Sequence, residues 1–280
     1  MNKQALWAIA TKDMRAIRNS IQVWLPMLIL PIIMCAVLPS GLILGVRYYG
    51  VEGMGNLGDL KSLGKMLENL PTGSLGRALA ALNSPEQQVL YLLVNYFFVP
   101  LFLLIPLMLS STITANSFAS EKERKTLESL LFSPIDIPTL FAGKVLSAFI
   151  PAMAISLLCF LIYGIVVNTL AYPLFAKLIF PTTNWIVLML WTIPSIALFA
   201  VFVNVIVSAR VKGFQEAYQM GGLVVLPILA LILSQAIGAL VVDAWLLWWG
   251  GLVILAVDIA LLRFIRTHFH RDKLFESQVS

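Results

Sequence analysis

Charge is the scarcest commodity in this chain. Only 12% of its residues are Asp, Glu, Lys or Arg, against roughly 25% in a soluble domain. Hydrophobic residues make up 60% of the sequence and its mean hydropathy is +0.91. A single globular core of 280 residues cannot hide that much apolar surface, so the composition excludes a soluble enzyme and calls for a lipid bilayer as partner. Cysteine is almost absent: Cys35 and Cys159 lie inside apolar runs without metal-ligand spacing, and read as buried thiols that form no disulfide framework. A cleavable leader is not expected either, because no small-residue cleavage site follows the first apolar run. Chemical signatures are missing too. Gly143-Lys144 is followed by Val145 and lacks the upstream glycine of a Walker A loop, and the sequence contains no His-Glu-x-x-His and no Gly-x-Ser-x-Gly. His268, His270 and Asp272 in the tail do not make a credible metal site.

What is present is a series of six long apolar runs, expected as membrane spans at 21–46, 87–118, 140–168, 185–208, 217–240 and 245–265. About twenty residues cross ~30 Å of hydrocarbon as a helix, and none of the runs shows the alternation of a barrel strand. The expected fold is an all-α integral membrane protein, one transmembrane domain over 1–280. The net charge of +5 is distributed between the runs instead of forming a nucleic-acid-binding patch. Lys3, Lys12, Arg15, Arg18, Lys122, Arg124, Lys125, Lys144, Arg210, Lys212, Arg263, Arg266, Arg271 and Lys273 fall on one side, whereas Arg47, Lys61, Lys65, Arg77 and Lys177 fall on the other. The positive-inside rule therefore expects both termini in the cytoplasm, as a multi-pass protein of the cell inner membrane. Trp24 near the inner edge and Trp185, Trp245, Trp248 and Trp249 near the outer edge fit the aromatic belts. Pro26, Pro31, Pro100, Pro106, Pro151, Pro194 and Pro227 lie within runs, where each favours a kink.

Outside the runs, residues 1–20 place Leu6, Ile9, Ala10, Met14 and Ile17 on one helical face, with Lys12, Arg15 and Arg18 directed elsewhere, as in an amphipathic interfacial helix. The opposite side carries one sizeable segment, 47–86. Its leucines at 57, 60, 63, 67 and 70, then Leu75, Leu79 and Leu82, suggest two short helices on the rim. Ser84-Pro85-Glu86-Gln87 has the N-cap, N1 proline and N3 glutamine that open a helix.

The loop after the second run, 119–136, is the most informative. It reads Ser120-Glu-Lys-Glu-Arg-Lys-Thr-Leu-Glu-Ser-Leu-Leu-Phe-Ser-Pro134. Ser120 and Glu123 have capping-box spacing, and Pro134 ends the helical pattern. Glu121, Arg124, Lys125 and Glu128 share one face of such a helix, while Leu127, Leu130 and Leu131 share another. A short helix of this kind can lie across the end of a bundle and present charge to a soluble partner.

At these residues the chain resembles the ABC-2 type permeases of ABC transporters, which carry a similar Glu-Lys-Glu-Arg-x-Thr-Leu-Glu-x-Leu-Leu-x-x-Pro run after the second span. Here the run is Glu121 to Pro134, followed by Gly143-Lys144. The second cytoplasmic loop, with Arg210, Lys212 and Glu216, also resembles the family pattern. The resemblance implies a permease subunit of an ATP-driven exporter, paired with a second permease subunit, identical or homologous, and with two separate ABC ATPase subunits. No cofactor is bound directly; ATP and Mg belong on the ATPase. Glu121, Lys122, Glu123, Arg124, Lys125, Thr126, Leu127, Glu128, Leu131 and Pro134 would then form a coupling helix seated on the ATPase. Two departures stand out: Lys125 occupies a position where many relatives have Gly, and the large outer segment lies between spans 1 and 2 instead of between spans 5 and 6.

Polar residues inside the runs are few. Asn95, Tyr96 and Asn204 either line a path or bond between helices, and Asp258, one to two turns before Arg263, is expected to pair with a nearby basic residue. The rival readings are a standalone channel or ion-coupled carrier and an intramembrane enzyme. The carrier calls for more charged relay residues or symmetric broken helices, and the enzyme for a catalytic motif or a close carboxylate pair.

Overall fold

The computed structural model describes residues 3–19, 21–53, 74–123, 136–211 and 213–268. All regular structure among them is helical. Six helices are long and apolar enough to span a membrane: Met27–Gly50, Pro85–Phe118, Pro138–Phe175, Thr183–Ser208, Gln215–Ala236 and Ala244–Thr267, here called spans 1 to 6. Spans 2 and 4 are central, and the other four surround them with most of their apolar surface outward. Span 4 packs on spans 2 and 6, and span 3 packs on spans 1, 2 and 4.

Three spans widen into a π-helical turn, at Ile33–Val37, Leu93–Phe97 and Leu188–Thr192. Each lies just before a proline: Pro39, Pro100 and Pro194. A proline ring collides with the carbonyl four residues earlier and supplies no N–H to it. Those carbonyls belong to Cys35, Tyr96 and Leu190, all within the widened turns, so the longer register absorbs the proline. The widened turn of span 2 is also bonded to a neighbouring span: the Tyr163 hydroxyl donates to the Val94 carbonyl at 2.8 Å. Span 3 behaves differently. Its helix, Ile137–Phe175, continues through both Pro151 and Pro173 as one element of 39 residues.

The core between spans 2, 3 and 4 is aromatic. Tyr163 and Trp185 lie 4.7 Å apart, with Phe98, Phe102, Phe160 and Phe180 around them. Cys35 and Cys159 are both free and buried, on the π turn of span 1 and on span 3, which pack against each other. At one end of the bundle Asn168 ties down the turn after span 3, donating to the Phe180 carbonyl at 2.8 Å and accepting from the Ile179 and Phe180 amides. At the same end the helix Ser74–Ala80 buries Leu75 and Leu79. The leucines at 57–70 lie outside the described residues.

Two local expectations need correction. The helix that contains the end of span 2, Leu104–Glu123, runs without a break through Ser120. Ser120 is therefore not a helix N-terminus, because the amides of residues 121–123 arrive already bonded to carbonyls one turn back and need no cap. Asp258 is buried in span 6, but neither carboxylate oxygen has a partner among the described residues. No basic partner for it stands among the described residues: Arg263, five residues on, is exposed, at a spacing that does not share a helical face.

Candidate coupling site

The sequence concentrates its charged motif at the end of the bundle where the N-terminal helix, Lys3–Arg18, meets the spans. This helix turns Ile9, Ala10 and Ile17 inward, and packs along span 3 instead of leaving its apolar face to lipid. Gly143 makes the approach possible: a Cβ there would stand 3.0 Å from the Ile9 side chain and 3.1 Å from the Leu6 carbonyl. The residue that sequence reading missed is Asp13. It lies on the apolar stripe, three residues from Ala10 and four from Ile17, and is buried. A lone acid inside a hydrophobic stripe was the available signal.

Asp13 points at Lys144 and Ser117. Lys144 Nζ is 2.7 Å from the Ser117 carbonyl, 3.0 Å from Ser117 Oγ and 3.4 Å from Asp13 Oδ2. The Ser117 hydroxyl donates to the same Asp13 oxygen at 2.6 Å. Lys144 Nζ also lies 4.9 Å from the centre of the Phe118 ring, a cation–π distance. The exposed Lys12 ammonium approaches the other Asp13 oxygen at 3.6 Å.

Ser117 and Lys144 stand on the two helices that flank the charged loop. Of the sequence-predicted coupling residues, Glu121, Lys122 and Glu123 form the last turn of the helix leaving span 2, while Arg124, Lys125, Thr126, Leu127, Glu128, Leu131 and Pro134 lie outside the described residues. The chain re-enters at Asp136, the N-cap of the span 3 helix. Its carboxylate accepts from the Thr139 hydroxyl at 2.7 Å and the Thr139 amide at 3.2 Å. The Thr139 hydroxyl bond, with the amide bonds behind it, holds this exposed carboxyl below its ordinary range.

The second loop reaches the same region. Arg210 and Glu216 are exposed, and Lys212 lies outside the described residues. Beside them in sequence, Val211 and Ala217 pack on Ala115, two residues before Ser117. The second loop thus abuts the last turns of span 2.

The proposed pathway residues stand at two separate levels. Asn95 and Tyr96 occupy the π turn of span 2, where Asn95 is buried with both amide atoms unpartnered among the described residues and Tyr96 is buried with its ring 6.5 Å from that of Tyr91. Asn204 joins spans 4 and 2 by donating to Ser111 Oγ at 2.9 Å and to the Ala200 carbonyl at 2.8 Å. Sixteen residues separate Asn95 from Ser111, about 24 Å along a helix. The structure does not bring Asn95 and Asn204 into one site.

Six apolar helices with an ion-paired junction at their basic end define a multi-pass membrane protein. Residues 7–245 match the family described as ABC-2 family transporter protein, and the chain belongs to that family. It is therefore a membrane permease component of the ABC transporters, a class that associates with ABC ATPases. No curated protein and no solved structure matches the chain.

Proposed function

We propose that the chain is the permease subunit of an ATP-driven exporter. Two permease subunits form the pathway, and two separate ATPase subunits bind ATP and Mg and drive it. The termini and the loop of residues 119–136 face the cytoplasm, where Glu121–Pro134 seats on the ATPase.

One observation carries this reading. The helix of span 2 does not end with its apolar part, but continues to Glu123 and leads its backbone directly into the charged run. A helix extended beyond the apolar core in this way is a stiff stalk, suited to receiving force from a soluble partner. The fourteen-to-five division of basic residues supports a cytoplasmic position for that stalk. Mild-detergent purification followed by identification of bound proteins tests the reading. Recovery of a P-loop ATPase whose hydrolysis depends on the permease supports it; a permease that purifies folded but without any ATPase, under conditions that preserve such complexes, refutes it.

A further inference from the structure

We propose that Asp13, Ser117 and Lys144 act as a buried clamp that binds the N-terminal helix to both roots of the coupling loop, so that force delivered to that loop moves spans 2 and 3 together. The proposal rests on the permease reading and deepens it by naming the positioning residues of the coupling step.

The geometry leaves little slack. Lys144 is 1% exposed and Asp13 5%. Burying an ammonium and a carboxylate is costly unless both are paired and hydrogen-bonded, and apolar side chains would join three helices at lower cost. What an ion pair adds is a single permitted arrangement. Lys144 offers three N–H donors, and the Ser117 carbonyl, Ser117 Oγ and Asp13 Oδ2 surround them. Ser117 closes the ring by donating its own proton to Asp13. No member can shift without opening a buried polar bond.

The placement in the chain gives the clamp its use. Ser117 lies one helical turn before Glu121, and Lys144 lies ten residues after Pro134. The loop is therefore gripped on both sides, with the N-terminal helix held by the same bonds. Val211 in the span 4–5 loop and Ala217 at the start of span 5 join the junction through Ala115. From Lys144 the span 3 helix continues to Phe175, so a displacement of its root travels to the opposite end of the bundle. Without the clamp, motion of the loop would be spent in bending at its two roots.

The test uses the complete permease–ATPase complex in proteoliposomes. A single reporter cysteine replaces exposed Lys177, just beyond span 3, in a chain with Cys35→Ala and Cys159→Ala. Its labelling by a membrane-impermeant maleimide is compared in ATP and in ATP trapped with vanadate. Asp13→Asn/Lys144→Met removes both charges and leaves no orphaned ion; Ser117→Ala, a smaller change, serves as the second variant should the double one fold poorly. The expected result is a several-fold, nucleotide-dependent change in labelling for the parent, largely lost in the variants while ATPase binding and hydrolysis persist. Variants that respond as strongly as the parent overturn the clamp alone. A parent that holds no ATPase overturns the permease reading and the clamp together; a parent that holds its ATPase but shows no nucleotide-dependent change overturns the clamp alone.

Discussion

Two adjacent glycines make the packing between the first helix of span 5 and span 4 directly measurable. Gly221 and Gly222 close the helix Phe214–Gly222. Replacing either by Ala gains helix propensity worth up to about 1 kcal/mol, yet the surroundings differ. A Cβ at Gly222 meets nothing within 4 Å, whereas at Gly221 it would collide with Asn204 Oδ1. Asn204 is fully buried and committed to Ser111 and Ala200, so it cannot swing away without breaking those bonds. Overpacking costs about 1–3 kcal/mol, and orphaning the buried amide about 1–3 kcal/mol more. We expect Gly222→Ala to be neutral or stabilising and Gly221→Ala to fall about 3 kcal/mol below it. Unfolding of the detergent-purified permease by SDS titration reads the difference. In an Asn204→Ala background the obstruction is gone, so Gly221→Ala should lose most of its penalty, giving a coupling of about 2 kcal/mol in the double-mutant cycle. Equal stabilities of the two single variants, or additivity in the cycle, would refute this packing.

Further predictions concern other parts of the chain. Asp258→Leu is expected to be neutral or to stabilise by about 1–3 kcal/mol in the same titration, because a buried polar group without a partner is a liability; a large loss would mean that Asp258 has a partner in the assembled protein. Copper-phenanthroline oxidation should join Cys35 to Cys159 within one chain, detected as a linked peptide pair, and failure of the unfolded-free, purified protein to form it would contradict the packing of span 1 on span 3. Cysteines placed at Ser62 and Ser277 should label from opposite sides of intact cells; same-side labelling would sink the topology.

The fold was legible wherever one residue's neighbours in sequence decide its structure. The Ser84 N-cap accepts from the Gln87 amide as its spacing required, although the Gln87 side chain accepts from the Asn83 amide and donates to the Leu174 carbonyl of span 3. The six apolar runs emerge as six helices for the same local reason. Ser120 shows the limit: the same capping spacing carries no cap when a helix already runs through it. The π turns were hidden because a kink-prone proline and a proline absorbed by a wider turn look alike in sequence. Tertiary partners were the least legible. Asp13 and Lys144 are 131 residues apart and meet only because Gly143 lets two helices approach, while Asp258, with a basic residue nearby in sequence, has no partner among the described residues. Asn95 and Asn204 look equivalent as intramembrane amides, yet one is without a partner among the described residues and the other bridges two spans.

The central claim is that Glu121–Pro134 couples this permease to an ATPase, and charge reversal tests it most directly. Exposed ion pairs contribute only about 0–1 kcal/mol each, so Glu128→Ala alone should be mild. Glu121→Lys together with Glu128→Lys instead sets like charge against a matched surface. In proteoliposomes containing the permease and its ATPase, the double reversal is predicted to leave the permease folded in the membrane while abolishing permease-dependent ATP hydrolysis and transport. Full coupled activity in that variant, with the ATPase still bound, would contradict the account.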